Sequence, residues 1–522
     1  MSVPGTLIQI IGGVSLSNNY EHSLYFPSST EQNNYFAGKV VKTFNQFTYL
    51  KPGNVIKVAG DVANARRWTY LRVLNGDGLW WYHFITKVVY LNDSAVELHV
   101  ELDVLQTYLH QWTMKQCFIE RTHTATDNIG EHTLDEGLET GPLVVHEKKD
   151  HMFDDMCVLI LTAMDGDGNS AWSRVYDGVF SGLGVYAVEL SDYAQLGTWL
   201  DTQSRAGKID AIVSMWMYPK ELVRVEGNWG NATLHRVLGG TTIDLVDVQD
   251  SLAGKIDGYT VKNNKMFTYP YTMLYVSNNM GGSAVYRREL FATPGDYSFK
   301  VMGALSPDAG VQLTPLSYGG TYANYDESLT VGAFPSCAWD SDTYKVWLAQ
   351  NQNSQALTMT QAKIQAGVGA LATVASIPTG NLTGALGGLA GAYNALTNVQ
   401  GLMAQKADME IQPPQARGAH SGNINVANDL CGFSFYTKTI RAEYARAIDR
   451  YFSRYGYKVN QVGTPSLKNR SRYTYIKTQG CHIGGDVGTE DRLKIQAIFD
   501  KGVTFWADHD TIGNYSADNN VL

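Results

Sequence analysis

In AVELHVELDVL, residues 95–105, the apolar side chains of Val96, Leu98, Val100, Leu102 and Val104 alternate with polar neighbours. Period two places all five on one face of an extended chain, so the stretch predicts a half-buried antiparallel strand. Just upstream, GLWWYHFITKVVYL follows the turn signal NGDG and supplies the aromatic and β-branched residues of a hairpin. Similar alternation continues to about residue 345, punctuated by DGDGNS, GNWGN, LGGTT and SNNMGG. The run YTMLYVSNNMGGSAVYRREL predicts a hairpin with its loop at Asn278–Gly282. Residues 1–145 are therefore expected to form one β-rich domain and residues 146–345 one or more others.

The period then changes. Ile364, Val368, Leu371, Val374 and Ile377 recur every three or four positions until Pro378–Thr379–Gly380. Leu382, Leu386, Leu389, Tyr393, Leu396, Val399 and Leu402 resume the same spacing, which predicts a helical hairpin turning at Pro378–Gly380. The whole segment 346–417 is expected to be an inserted hairpin or long loop. After the breaker-rich QPPQARGAHSG, residues 418–522 are expected to be a C-terminal α+β region. One helix is predicted through TKTIRAEYARAIDRYFSRYG, with Ile440, Tyr444, Ile448, Tyr451, Phe452 and Tyr455 as its buried stripe and Gly456 as its stop. A second, TEDRLKIQAIF, ends at Lys501–Gly502 before a strand VTFW. The fold class is β-rich α+β in several domains.

Composition supports this reading and narrows function. With 522 residues the chain exceeds one core, and 31 Tyr and 51 Gly suit strands and turns. A net charge of -9 without a long Lys/Arg run disfavours tight nucleic-acid binding. The most basic stretch, Arg441–Lys477, reads as a solvated helix face with a subunit contact rather than a phosphate site. Five scattered cysteines without metal-ligand or disulfide spacing predict buried thiols from a reducing compartment. The opening MSVPGTLIQIIGG has no basic region before its apolar residues, so synthesis in a cytoplasm without a secretion signal is expected.

Several fragments imitate catalytic motifs and fail on spacing. His146 and His151 in HEKKDH are five apart, where a zinc-binding pair on a helix needs four, so they read as loop or edge histidines. DGDGNS has Asp165, Asp167 and Asn169 in calcium-loop positions, but Ser170 and Tyr176 stand where Gly and Glu are needed. The charged run CFIERTHTATDNIGEHTLDEG carries Glu120, Arg121, His123, Asp127, Glu131 and His132 without a nucleophile motif; it is expected to be a charged crossover over 117–141. Trp80, Trp81 and Tyr82 alternate in direction along a strand and are assigned to the core. No catalytic residue, metal or cofactor is predicted.

No charged side chain occurs between Lys363 and Lys406. Each arm of the predicted hairpin has roughly 20 residues, about 30 Å as helix, enough to cross a bilayer core. Thr373, Ser376, Asn381, Asn394, Thr397, Asn398 and Gln400 make insertion of a lone arm poor. Gly380, Gly384 and Gly388, and separately Gly387 and Gly391, stand four apart and permit close helix packing in a ring. A buried Gly/Ala-rich hairpin or a loop explains these residues as well as a membrane role does.

Longer phrases carry a resemblance. FPSSTEQNNYF, WWYHFITKVVYLND, VELDVLQTYLH and CFIERTHTATDNIGEHTLDEGLETG resemble the N-terminal region of the distal tail tube, or tail knob, proteins of short-tailed bacteriophages of the phi-29 type. YFSRYGYKVNQVGTPSLKNRSRYTYIKT and IFDKGVTFWADHDTIGNY resemble the C-terminal region of the same family. The resemblance implies a homohexameric tube of β-barrel or β-sandwich domains at the distal tip of the virion tail. It implies contacts with the lower collar or proximal tail tube and a tail-tip enzyme, and passage of double-stranded DNA without sequence-specific binding. It also implies that Ile364–Gln405, with Gly380, Gly384, Gly388 and Gly391 among its packing positions, plugs the tube and is later released to form a pore in the host cytoplasmic membrane. A tail-tip adhesin or cell-wall hydrolase, or a free pore-forming toxin, are the alternatives from other classes.

Overall fold

The computed structural model describes residues 7–45, 54–76, 78–162, 174–176, 179–181, 184–189, 193–205, 212–230, 234–306, 310–331, 334, 336–338 and 431–522. The chain divides into two compact units, 1–142 with 254–271 and 440–522, and 143–253 with 272–439, so it passes from one to the other four times. The two chain ends, assigned by sequence to separate domains, thus share a unit, and 254–271 joins them. Thr437–Ile440, assigned by period to a helix, instead extends a strand that runs from Gly432 to Ile440.

The first unit opens with a six-stranded antiparallel sheet in the order Val40–Asn45, Leu7–Ile11, Tyr70–Leu74, Trp80–Asn92, Ala95–Leu102, Val55–Ala59. The predicted hairpin is present, with Tyr90 opposite Val96 and Val88 opposite Leu98. Val96, Leu98 and Val100 are buried together with Ile8, Ile10, Ile56, Val58, Leu71 and Val73, one face of the sheet. The strand stops at Leu102, two residues short of the predicted Val104, because Asp103 caps a short helix Val104–Thr107 by accepting from the Gln106 N–H. Tyr82 is buried as expected, whereas Trp80 and Trp81 are half-buried; the Arg72 guanidinium lies 3.9 Å from the Trp80 ring centre.

The opposite face belongs to a second core shared by both ends of the chain. Tyr70, Tyr82 and Phe84 pack there with Tyr473, Ile476, Phe499, Val503, Phe505 and Trp506. A five-stranded sheet runs His22–Leu24, Val503–Trp506, Tyr473–Gln479, Cys117–Thr122, Tyr457–Gly463, and its first pair is parallel. Cys117–Thr122, expected to begin a charged crossover, is an inner strand of this sheet. Its alternation of buried Cys117, Ile119 and Arg121 is masked in sequence because the third of these is charged.

The second unit holds three larger sheets around one core. A four-stranded sheet orders Leu143–Met152, Gly432–Ile440, Thr272–Ser277, Ser283–Tyr286. The Asn278–Gly282 loop falls where predicted: the Asn278 side chain accepts from Met280 N–H at 2.9 Å and Gly282 N–H at 2.8 Å, which closes the turn. A six-stranded sheet orders Val223–Val225, His235–Gly240, Gly184–Glu189, Met156–Thr162, Ile212–Pro219, Ser336–Ala338. Met156–Ile160 are all buried, a continuous apolar run covered on both faces. Ile243–Gln249, Asp296–Gly303, Val311–Tyr318 and Thr321–Ala323 make the third, with Leu329–Val331 also on Val311–Tyr318.

His146 and His151 lie on the edge strand Leu143–Met152, as the sequence suggested. Cys117, Cys157, Cys431 and Cys481 are buried free thiols, and burial pushes Cys431 and Cys481 up to about 12, out of the reactive range. DGDGNS lies outside the described residues.

Candidate functional site

Within the first unit, three carboxylates, two of them buried, hold the excursion 254–271 in place. The helix Ala442–Tyr455 presents Ala445, Ile448, Asp449 and Phe452 inward, so an acid occupies a core position. Asp449 accepts from Tyr259 Oη at 2.9 Å, Lys262 N–H at 3.0 Å, and both Asn263 N–H at 3.1 Å and Asn263 Nδ2 at 2.7 Å. Four donors on one carboxylate compensate its burial. The excursion returns the favour at the helix start, where Asp257 accepts from the Ala442 N–H at 2.9 Å.

Glu136 is the second acid, fully enclosed. It receives Arg121, Lys265 Nζ at 2.5 Å and Lys458 N–H at 3.0 Å. Burial, then the Arg121 charge, push the Lys265 ammonium down to about 7, and Glu136 beside it accepts from its Nζ. Asp127 is the third: Tyr457 Oη donates to it at 2.5 Å, Asn264 N–H at 3.3 Å, and burial raises its pKa. His123 sits among them with its Nδ1 accepting from Tyr475 N–H at 2.8 Å, so Nε2 carries the proton and donates to Ser453 O at 3.1 Å. Burial, then Arg470, push it down to about 3 and keep it neutral.

Gly456 closes the helix at φ +62°, and a Cβ there would lie 2.3 Å from Thr122 O. Arg121 donates to Gly456 O at 2.6 Å, tying helix end to strand. Of the predicted stripe, Ile448 and Phe452 are buried and Tyr444, Tyr451 and Tyr455 half-buried, while Ile440 is buried in the strand. Held by these donors, the acids act as a clamp on the excursion. Asp449, Glu136 and Lys265 were missed by sequence reasoning. The one available signal was an Asp at position 449, between core residues 448 and 452 of an amphipathic helix.

The residues singled out for the apolar segment, Ile364 to Leu402, lie outside the described residues, but its two flanks do not. The outgoing flank, Ser336–Ala338, is an edge strand paired to Ile212–Pro219 with Ser214 opposite Ala338 and Trp216 opposite Ser336. The returning flank enters at Cys431, whose carbonyl accepts from Phe153 N–H at 2.8 Å. Gly432 follows at φ +151°, and a Cβ there would stand 2.2 Å from His151 O. Gly432–Ile440 then runs between Leu143–Met152 and Thr272–Ser277, with Phe433 and Phe435 buried. Both flanks belong to the second unit. Among the described residues no helix is long and apolar enough to cross a membrane.

Residues 241–520 match the family model described as the C-terminal domain of the tail knob protein gp9 of Bacillus phage phi29. That span covers more than half of the chain. The chain belongs to the phi29-type tail knob protein family. Residues 4–113 also match the N-terminus of caudoviral major tail proteins. The chain is 27% identical to the tail knob protein gp9 of Bacillus phage PZA and 26% identical to that of Bacillus phage phi29, each over 99% of both chains. In fold it is similar to the tail knob protein gp12 of bacteriophage C1, with a TM-score of 0.66 at 15% identity, covering 99% of this chain and 100% of that one.

Proposed function

We propose that this chain is a structural protein of a phage tail knob, assembled as a homohexameric tube with other tail components, through which double-stranded DNA leaves the virion. Its uncharged segment Ile364–Gln405 plugs the channel and, once released, forms a pore in the host cytoplasmic membrane. Full-length similarity to tail knob proteins supports the first part. The observation that carries the second is an uncharged segment whose flanks are both strands of one unit, so that it can leave its stowed position without loss of the fold that holds it.

The overall charge of -9 suits a conduit, since walls that do not gather phosphates leave the DNA free to slide. The Gly380, Gly384 and Gly388 strip suits close packing of neighbouring copies, and Leu371 and Leu389 suit the lipid-facing stripe. Leakage from dye-loaded liposomes tests the pore. The full chain is expected to release dye, and a deletion of residues 368–399 is expected to lose that release while still forming sixfold tubes by electron microscopy. Equal leakage from both would refute the pore, and absence of tubes from the full chain would refute the conduit.

A further inference from the structure

Lys265 and Glu136 meet inside the first unit with side chains 2% and 0% exposed, and Lys265 Nζ stands 2.5 Å from Glu136 Oε1. Leu134 O accepts a second hydrogen from Nζ at 2.7 Å, so two acceptors fix the amine in place. The Phe452 and Tyr457 ring centres lie 5.7 and 5.5 Å from it and give the pair an aromatic wall. Arg121 donates to the other carboxyl oxygen, Oε2, while the Lys458 N–H donates to Oε1 at 3.0 Å.

This arrangement goes beyond an ion pair. Burial, then Arg121, favours the uncharged amine, which is the nucleophilic form of a lysine. Contact with Oε1 brings the carboxyl carbon next to that nitrogen, as a near-attack geometry requires. The Arg121 guanidinium already sits on the oxygen where negative charge develops when an amine adds to a carboxyl group. Two opposite charges removed from water are also costly, and a neutral product relieves that cost.

We propose that Lys265 and Glu136 condense to an intramolecular isopeptide bond. The proton in their contact passes from Nζ to Oε1, leaving an amine and a carboxylic acid. The Nζ lone pair adds to Cδ, and Arg121 holds the charge on Oε2. Oε1 then departs as water with a second proton from the nitrogen. Ammonium and carboxylate thus become amide and water, and no oxidant, reductant or further reactant is consumed. Arg121 keeps the amide oxygen, Gly456 O and the face of Tyr451 as partners. The bond ties the excursion 254–271 to the segment that precedes the first crossing between units. It concerns the first unit alone and is independent of the conduit and the pore.

Intact-mass spectrometry of the full chain, incubated folded in mildly alkaline buffer and then unfolded, tests the bond. The wild type is expected to be one water lighter than its sequence, and its digest to contain a branched peptide joining Lys265 to Glu136. Glu136→Ala removes the acceptor, and Lys265→Arg keeps a cation beside Glu136 without the nucleophile; both are expected at full sequence mass. A wild type at full mass, a lighter wild type whose Lys265 and Glu136 are recovered in linear peptides, or the same loss of water in either variant would overturn the assignment. The wild-type measurement decides even if a variant fails to fold.

Discussion

Asp449 illustrates how one residue can decide the meaning of a segment. Its helix is amphipathic in sequence, but the four donors that make its burial tolerable come from Tyr259, Lys262 and Asn263, far away along the chain, so no local pattern announces it. His123 belongs to the same buried network and gives it a pH dependence. Its folded pKa, about 3, and that of buried His83, about 4, both lie below the unfolded value of 6.5, and desolvation is the leading cause in each. The folded state therefore binds fewer protons than the unfolded state between these values, so stability is full above pH 6.5 and falls as pH drops toward 4. Asp103, raised to about 6 by burial, works the other way and offsets part of the loss. The net loss is expected to be on the order of 3 kcal/mol between neutral pH and pH 4. Urea midpoints against pH measure it, and His123→Gln, which keeps a donor and an acceptor without titrating there, should flatten the profile; an equally steep profile would exonerate His123.

Elements were legible where a single period ran undisturbed. Val96, Leu98 and Val100 alternate and are buried together; Asn278–Gly282 carries its turn chemistry in its own side chains; Gly456 and Gly502 end their helices as written. The misreading at Thr437–Ile440 has a physical reason. Thr437 and Thr439 are buried in pairing with Thr272–Ser277 and Ile440 bonds to Tyr271 O, partners from far upstream, and a four-residue run followed by a strong helix pattern takes on that helix's period. Cys117–Thr122 was hidden because one buried position carries Arg121, whose partners Glu136 and Gly456 lie in other segments. At the returning flank, Gly432 is needed twice over, for its φ and for its contact with His151 O. Gly432→Ala is expected to cost about 3 kcal/mol or more, whereas Gly227→Ala, also at positive φ but with nothing within 4 Å, should cost about 1–2 kcal/mol. Chemical denaturation of the two variants compares them directly; equal losses would show that the contact at Gly432 yields without cost.

For the whole molecule, the β-rich class and the helix-containing C-terminal region could be read from sequence, while the division into units could not. Periodicity reports what each segment needs to bury, not which distant segment will cover it. The core around Tyr70, Tyr82 and Phe84 is completed by Tyr473, Ile476, Phe499 and Trp506, and His22–Leu24 pairs with Val503–Trp506. A fragment of residues 1–142 is accordingly expected to remain unfolded or to aggregate, as seen by poor amide dispersion in NMR and by dye binding to exposed apolar surface. A well-dispersed spectrum would mean that the N-terminal sheet is self-sufficient. Such long-range closure also implies slow folding, because most of the chain must be made before its first unit can close.

The unequal strands on either side of the apolar segment have a mechanical meaning. Among the described residues, the outgoing side is held by three residues at a sheet edge, paired to Ile212–Pro219, a contact that tension can peel away a bond at a time. The returning side is a nine-residue strand gripped on both edges, which must shear many bonds at once. In the release we propose, slack would be drawn from the outgoing side first, while the returning strand stays fast.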